Sequence, residues 1–234
     1  YKKNFLNFLG LEYYIEYNFN KILSNLDAID FIEKILVKQL HVKKIVVGKD
    51  FRFGKDRKGD TALLKKLSSK HNYKLFVIDH VKNKKTNRKY SSSIIRKNIN
   101  EGAFEKVSHA LGRNWFIKGK VIKGNQKARL INFPTANIKP GNHILPKKGV
   151  YCVNIIFKGN HFKGIANFGE RPTVKGINLL LETHIFEFNR DIYGKELTVE
   201  FLTFIRPEKK FKDFKSLTNQ IKKDVIKAKK YHKI

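Results

Sequence analysis

Apolar and polar residues are arranged along the first half of the chain in a way that favours strands separated by helices. Short apolar runs at 44–48 and 75–78 predict buried strands, and the leucines within 61–69 recur at helical spacing between them. A further run at 12–17 also predicts a strand, and Asp27 is placed to cap the helix that follows it. Strands that alternate with helices are typical of a parallel sheet with crossover connections. We therefore expect an α/β domain in this half.

Beyond Trp115 the pattern changes to short β-rich runs that are separated by turn residues. Strands at short spacing without helices between them predict a small antiparallel barrel. Apolar residues then recur at helical spacing from Phe214 to about Lys230, which predicts a final helix packed on that barrel. The predicted strands lie at 116–122, 150–157, 162–168, 180–188 and 197–205.

Two helical stretches lie between these patterns, at 91–100 and 103–111, and the second ends at Gly112. A length of 234 residues fits two ordinary domains. We predict a boundary between a first domain over residues 1–113 and a second over residues 114–234.

The charge balance raises the question of a polyanionic partner. Lysine and arginine total 50 against 20 acidic residues, so the formal net charge is +30. A charge of this size attracts polyanions, and a basic nucleic-acid-binding β-barrel without catalysis is therefore one hypothesis. Lysines are spread over nearly every segment, however, which favours a generally basic exterior over a dedicated groove. We expect no nucleic-acid partner.

Cysteine and methionine counts bear on the setting of the protein. Cys152 is the only cysteine, so an internal disulfide is excluded and a reducing, cytoplasmic compartment is favoured. No apolar run reaches the roughly 20 residues that cross a bilayer, and we expect no membrane association. The sequence has no methionine and opens on Tyr1, from which we expect that an N-terminal part is missing.

The segment Pro134-Thr135-Ala136-Asn137 carries the first candidate chemistry. If it is extended, the side-chain oxygens of Thr135 and Asn137 lie on one face and can reach a single Mg²⁺, which prefers oxygen ligands and nucleotide phosphates. Threonine and asparagine are also ordinary turn residues after proline. The segment alone therefore does not decide between a metal site and a turn.

The residues around Glu182 depart from a simple polar-out strand. Glu182 and His184 share one face, while Leu181 and Thr183 share the other. Glu182 is therefore either a strand carboxylate at the edge of an apolar run or a positioned acid–base group. For His184 a hydrogen-bonded structural role is favoured over catalysis, and for Cys152 burial is favoured over reactivity.

Four further motifs follow Pro134–Asn137, and in this order and spacing the second half closely resembles the riboflavin kinase family. The resemblance implies a six-stranded antiparallel barrel with a C-terminal helix, ATP in a loop-covered groove, and flavin on the opposite side of the transferred phosphate. The implied reaction moves the terminal phosphoryl group of ATP onto riboflavin and gives FMN. The motifs are Gly164-Ile165-Ala166-Asn167-Phe168-Gly169-Glu170-Arg171-Pro172-Thr173, Glu182-Thr183-His184-Ile185-Phe186, Asp191-Ile192-Tyr193-Gly194 and Arg206-Pro207-Glu208-Lys209-Lys210-Phe211.

The same resemblance implies roles for single residues. Glu182 matches the catalytic carboxylate, and a positioned base is useful because a primary alcohol must lose its proton as it attacks phosphorus. Thr135 and Asn137 would contact Mg²⁺ and the phosphates of ATP. Gly124 and Arg129 would belong to the loop over ATP.

Two other positions carry weaker expectations. Arg206 would act on the flavin side or order a loop, and a surface salt bridge is its alternative. Asn132 stands where the family usually has glycine, and asparagine tolerates the left-handed backbone that such a turn can need.

Segments 47–54, 59–60 and 91–96 resemble the FMN adenylyltransferase half of bacterial bifunctional riboflavin kinase/FAD synthetases. This resemblance implies a Rossmann-like nucleotidyltransferase domain, incomplete here, that joins FMN and ATP into FAD. Asp50 and Phe53 would line its flavin pocket, or would only lead a strand into the next loop.

Ser91, Ser92 and Arg96 suit phosphate binding, because hydroxyls and amides at a helix N-terminus bind anions and an arginine offsets charge. A helix cap is the competing interpretation. The His-x-Gly-His nucleotide motif of the family is absent and is expected upstream of Tyr1. We therefore expect FMN as the product of this chain, and FAD from the complete protein.

Overall fold

The computed structural model describes residues 2–84, 86–87, 89–124, 133–173 and 176–234, without the side chains at 2, 4, 172, 173 and 176–178. The chain divides into two compact units, Tyr1–Lys82 and Asn83–Ile234. No helix of the described residues combines the length and the apolar character that would let it cross a membrane.

A two-stranded parallel sheet organises the first unit. Strands β1 (Lys44–Gly48) and β2 (Lys74–Ile78) pair from Lys44 opposite Lys74 to Gly48 opposite Ile78, and helix α4 (Thr61–Ser68) connects them. The parallel pairing and the connecting helix confirm the α/β prediction. The other helices are α1 (Lys2–Phe8), α2 (Lys21–Ser24), α3 (Ala28–Asp30), which continues as a π-helix (Phe31–Gln39), and a short 3₁₀ turn (Lys55–Arg57).

Local sequence explains some of these elements and misleads about others. The Asp60 carboxylate accepts a hydrogen bond from the Leu63 amide (2.9 Å) and so caps α4. Asp27 precedes α3 as expected, but its side chain makes no capping hydrogen bond. The strand predicted at 12–17 is wrong, because these residues are irregular and largely exposed.

The two helices that precede the barrel pack into the barrel core. They are α5 (Ser92–Glu101) and α6 (Phe104–Leu111). The Phe104 ring lies 5.4 Å from Trp115 and 4.9 Å from Phe201, measured between centroids. The compact units therefore divide after Lys82, and the predicted domain boundary after Arg113 stays a prediction.

A closed antiparallel barrel of six strands forms the second unit, in the order β3-β4-β7-β6-β5-β8, which confirms the predicted fold. Alternate residues of each strand point inward, and side chains such as Ile117, Leu181 and Val199 fill the interior. The strands are β3 (Trp115–Ile122), β4 (Ala136–Ile138), β5 (Gly149–Phe157), β6 (Asn160–Thr173), β7 (Gly176–Ile185) and β8 (Glu196–Pro207).

The last helix, α7 (Phe214–His232), covers the outer face of the barrel. Asp213 caps it by accepting a hydrogen bond from the Ser216 amide at 2.6 Å. The buried helix residues Val225 and Ala228 pack with Cys152 and other outward-facing strand residues. This helix therefore encloses space against the outside of the barrel.

Candidate active site

Two cavities of the second unit meet at the short strand β4. The larger has a volume of about 700 Å³ and lies between strands β6 and β7, the segment after β8, and the start of α7. The smaller has a volume of about 180 Å³ and is bounded by β4, β7 and the loop after β7. Thr135 and Asn137 line both. The segment singled out in the sequence thus forms a wall between two cavities.

Strand register explains which side chains face each cavity. Asn137 of β4 and Asn167 of β6 both lie directly opposite Glu182 of β7. Directly paired residues of antiparallel strands point to the same face, so these three side chains share the outer face of the barrel. Glu182 and Asn167 line the larger cavity and not the smaller one.

An arginine that sequence reasoning did not single out joins two carboxylates in the larger cavity. The Arg171 guanidinium donates to the Glu182 carboxylate through Nη2 and to Glu208 Oε1 through Nη1 at 3.1 Å. Burial opposes its charge, but the hydrogen bonds and charges of Glu182 and then Glu208 raise the pKa of Arg171. The guanidinium therefore stays charged and holds the Glu182 carboxylate.

The wall between the cavities is tightly packed. Asn137 is 5% exposed, and a Cβ atom added at Gly124 would come within 2.9 Å of its Cγ. Glycine at 124 therefore lets the backbone approach the amide closely. Arg129 and Asn132, the other positions expected near ATP, lie outside the described residues.

His184 has the contacts of a structural histidine. Its Nδ1 lies 2.9 Å from the Pro134 carbonyl oxygen, and its ring meets Phe133 and Phe186 edge-on. Burial lowers the pKa of His184 below its usual value, and the Lys229 charge adds to that effect, although the bond to Pro134 opposes it. A neutral imidazole therefore ties β7 to the start of β4.

Arg206 lines the larger cavity, but its hydrogen bonds go to the protein. Its Nε and Nη2 lie 2.8 and 2.7 Å from the Asp224 carboxylate, and Nη1 donates to the Pro207 carbonyl. Gln220 also donates to Asp224. Arg206 thus anchors α7 to the end of β8, and its flavin contact stays a prediction.

Asp224 escaped sequence reasoning although a signal existed. It lies three residues after Ile221 and four before Ala228, on the apolar face of α7, and it is 2% exposed. A carboxylate at such a position needs a buried cation or amide as its partner.

The end of β7 and the loop after it give the smaller cavity both apolar and polar lining residues. Ile185, Phe188 and Ile192 line it, together with Asn189 and Asp191. Asp191 accepts a hydrogen bond from the Tyr193 amide at 2.9 Å, which shapes the turn. Asp191, Ile192 and Tyr193 of the predicted motif therefore face the smaller cavity, which Glu182 does not line.

The residues predicted for adenylyl transfer are divided between the two units. In the first, Asp50 follows β1 and pairs with His80 at 3.4 Å, while Phe53 is a buried core residue packed on Phe31 and Phe51. In the second, the Ser91 hydroxyl caps α5 at the Ile94 amide (3.3 Å). Ser92 and Arg96 lie exposed in the first turns of that helix. The capping role of Ser91 is compatible with anion binding by its neighbours.

Two family models match the chain. The riboflavin kinase model matches residues 111–232, which contain both cavities, and the FAD synthetase model matches residues 1–94. Nothing in these matches supports the nucleic-acid-binding alternative.

Curated relatives of this chain are named for both activities. A bifunctional riboflavin kinase/FMN adenylyltransferase of Haemophilus influenzae is 41% identical over 86% of this chain and 65% of its own length. The protein of the same description from Buchnera aphidicola subsp. Acyrthosiphon pisum is 41% identical over 92% of this chain and 69% of its own. A solved structure described as a macrolide-efflux protein from Streptococcus pneumoniae has a TM-score of 0.85 and 30% identity, and covers 95% of this chain and 71% of that one.

This chain spans about two thirds of the length of the curated relatives it matches. The two family models account for consecutive parts of it, and both activities that the names of these relatives combine are represented among the matches. The chain therefore belongs to the family of bifunctional riboflavin kinase/FMN adenylyltransferases.

Proposed function

We propose that the second unit transfers the terminal phosphoryl group of ATP to the ribityl hydroxyl of riboflavin, with Glu182 as the general base. The observation that carries this proposal is the shared wall. Glu182 lines the larger cavity but not the smaller one, whereas Thr135 and Asn137 line both cavities. A base must reach the hydroxyl that it deprotonates, so the acceptor belongs in the larger cavity and the transferred phosphate at the wall.

The size and lining of the larger cavity suit a flavin. A volume of about 700 Å³ lies within the usual range for sites that bury a small molecule. Apolar side chains such as Ile165, Phe211 and Leu217 offer surface to a ring system, and Glu182 and Asn167 offer polar contacts. The acceptor hydroxyl would then lie towards β4 and β7.

Oxygen ligands at the wall fit a magnesium ion that arrives with the nucleotide. Mg²⁺ is held in such sites by a few protein oxygens together with substrate phosphates, and Thr135, Asn137 and the neighbouring Glu182 supply oxygens of this kind. When bound, the ion would offset phosphate charge. The donor set therefore supports Thr135 and Asn137 as the residues that hold it.

Positioning accounts for the rest of the reaction. Phosphoryl transfer needs donor and acceptor in line and little covalent help from the protein. Arg171 keeps the Glu182 carboxylate in place before the acceptor binds, and its bond to Glu208 gives the guanidinium a second partner when Glu182 turns to the hydroxyl. No covalent intermediate is needed.

For the complete protein we propose that the part matching FAD synthetase contributes to adenylylation of FMN. Asp50, Phe53, Ser91, Ser92 and Arg96 remain the residues proposed for that activity. A cytoplasmic location also stays a prediction.

Product analysis after incubation with riboflavin, ATP and Mg²⁺ tests the kinase proposal, since FMN and FAD separate by chromatography. Replacement of Glu182 by Gln should lower kcat by a factor of about 10² to 10⁴, because general-base help is lost while shape is kept. Riboflavin binding should change little.

Glu170→Gln is the matched control. Glu170 is a β6 carboxylate paired with Lys148 at 2.5 Å, and it lines neither cavity. This variant should retain the wild-type kcat. Wild-type kcat in Glu182→Gln would remove Glu182 as the base, and absence of FMN with the unaltered chain would contradict the kinase proposal itself.

A further inference from the structure

The hydroxyl of Thr183 has no hydrogen-bond partner among the described residues although it is fully buried. Thr183 points into the barrel, where its direct neighbours across the sheet are Ala136 of β4 and Ala166 of β6. Neither methyl group can receive a hydrogen bond. A buried hydroxyl without a partner destabilises a fold, and valine has nearly the same shape without that cost.

Thr183 also lines the smaller cavity and not the larger one. The cavity floor is otherwise apolar near this position, since Ala136 and Ile185 are its neighbours there. In ligand sites a few polar groups set into apolar walls fix the orientation of the bound molecule. A threonine hydroxyl can both donate and accept a hydrogen bond.

The smaller cavity is the place left for the phosphate donor. Glu182 and the acceptor occupy the larger cavity in the proposed function, and the donor phosphates lie at the wall formed by Thr135 and Asn137. The rest of the nucleotide must then extend to the other side of this wall. A volume of about 180 Å³ admits a ring-sized part of a nucleotide.

We propose that Thr183 is a nucleotide-binding residue, whose hydroxyl forms a hydrogen bond with the donor nucleotide in the smaller cavity. This inference rests on the proposed kinase function and adds a binding residue to it. The same hydroxyl explains why a position between two alanines of the barrel interior keeps a polar side chain.

Thr183→Val tests the proposal because it exchanges only the hydroxyl for a methyl group. The dissociation constant of a non-hydrolysable ATP analogue, measured by calorimetry with Mg²⁺, should rise about fivefold to tenfold, as expected for the loss of one hydrogen bond. The KM for ATP should rise in parallel, while the KM for riboflavin stays within twofold. The urea midpoint of the barrel should stay the same or rise, because an unpaired polar group has been removed.

Two variants complete the experiment. Thr183→Ser keeps the hydroxyl and should retain nucleotide affinity. Thr198→Val makes the same chemical change on β8, at a position that lines neither cavity, and should leave nucleotide affinity unchanged. If Thr183→Val does not fold, Thr183→Ala replaces it, since it also lacks the hydroxyl and adds no volume.

Unchanged affinity for the analogue in Thr183→Val would overturn the proposal. A fall in both nucleotide and riboflavin affinity together with a lower urea midpoint would also overturn it, because a loosened barrel would explain all three. The binding assay does not need turnover. If the unaltered chain makes no FMN, the kinase proposal fails, and the comparison of analogue affinities still decides the role of Thr183.

Discussion

Removal of Arg206 should destabilise the barrel unit more than removal of its partner Asp224. The Asp224 carboxylate is 2% exposed, while the Arg206 side chain is 18% exposed. In Arg206→Gln the buried Asp224 carboxylate keeps only the Gln220 amide as its partner among the residues that the structure describes. In Asp224→Asn the guanidinium keeps its bond to the Pro207 carbonyl and reaches water.

These differences set the expected magnitudes. Loss of one partner from a buried ion pair costs about 3 to 5 kcal/mol, and the lower end applies to Arg206→Gln because the guanidinium is partly exposed. Asp224→Asn should cost about 1 to 2 kcal/mol, since the amide still accepts a hydrogen bond. The double variant should lose about 2 kcal/mol less than the sum of the single losses, because it leaves no charge unpaired.

Trp115 makes the measurement specific for the barrel unit. It is the only tryptophan of the chain, and it is buried in the barrel core against Phe104 and Phe201. Its fluorescence during urea unfolding therefore reports this unit and not the first one. With an m-value of about 2 kcal/mol/M, a loss of about 3 kcal/mol moves the midpoint by about 1.5 M.

Loss of the Arg206–Asp224 pair should affect substrate binding in the larger cavity. Arg206 and Asp224 line the larger cavity and not the smaller one, so the KM for riboflavin should rise more than the KM for ATP. Lys222→Gln, which removes an exposed cation from the same helix, should change the free energy of unfolding by less than about 0.5 kcal/mol. The reasoning would be refuted if the two single variants lost equal free energies of unfolding and these losses added up in the double variant. Additive losses would mean that Arg206 and Asp224 do not stabilise each other.

Two further predictions concern buried titratable groups. Cys152 is fully buried, and burial raises the pKa of its thiol to about 12. A thiol reagent at pH 8 should therefore modify the folded chain only as fast as the barrel opens, and should modify the chain unfolded in urea rapidly. Rapid reaction with the folded chain would contradict this prediction. Burial is the largest cause that lowers the pKa of both His184 and His232. The unfolded chain therefore binds more protons just below about pH 6.5, and the urea midpoint should fall as the pH drops from 7.5 to 5.5. His184→Asn should reduce that dependence, and an unaltered slope would contradict the assignment to His184.

The barrel could be predicted from the sequence because its β-rich runs lie at short spacing, without helices between them, and are separated by clear turn residues. The runs predicted at 150–157 and 197–205 lie within β5 and β8. The run at 12–17 shows the same kind of pattern and forms no strand. A β-rich run forms a strand only where neighbouring strands are available to bury its side chains.

The separate roles of the site residues could be predicted less well, since they depend on contacts distant in sequence. Arg171 meets Glu182 across neighbouring strands and Glu208 from beyond β8, and no local spacing signals that meeting. The motifs around these residues indicated a family, and the pairing between β6 and β7 brings their charges together.

Alternation along β7 explains how one barrel can serve a donor and an acceptor at once. Glu182 and His184 face the larger cavity on the outside, while Thr183 and Ile185 face the smaller one. Because successive side chains of a strand point to opposite faces, the proposed base and the proposed nucleotide contact are neighbours in sequence and yet lie on opposite sides of the sheet. A one-residue slip of β7 would exchange them. The register with β4, which places Asn137 opposite Glu182, therefore fixes the line along which a phosphoryl group would pass.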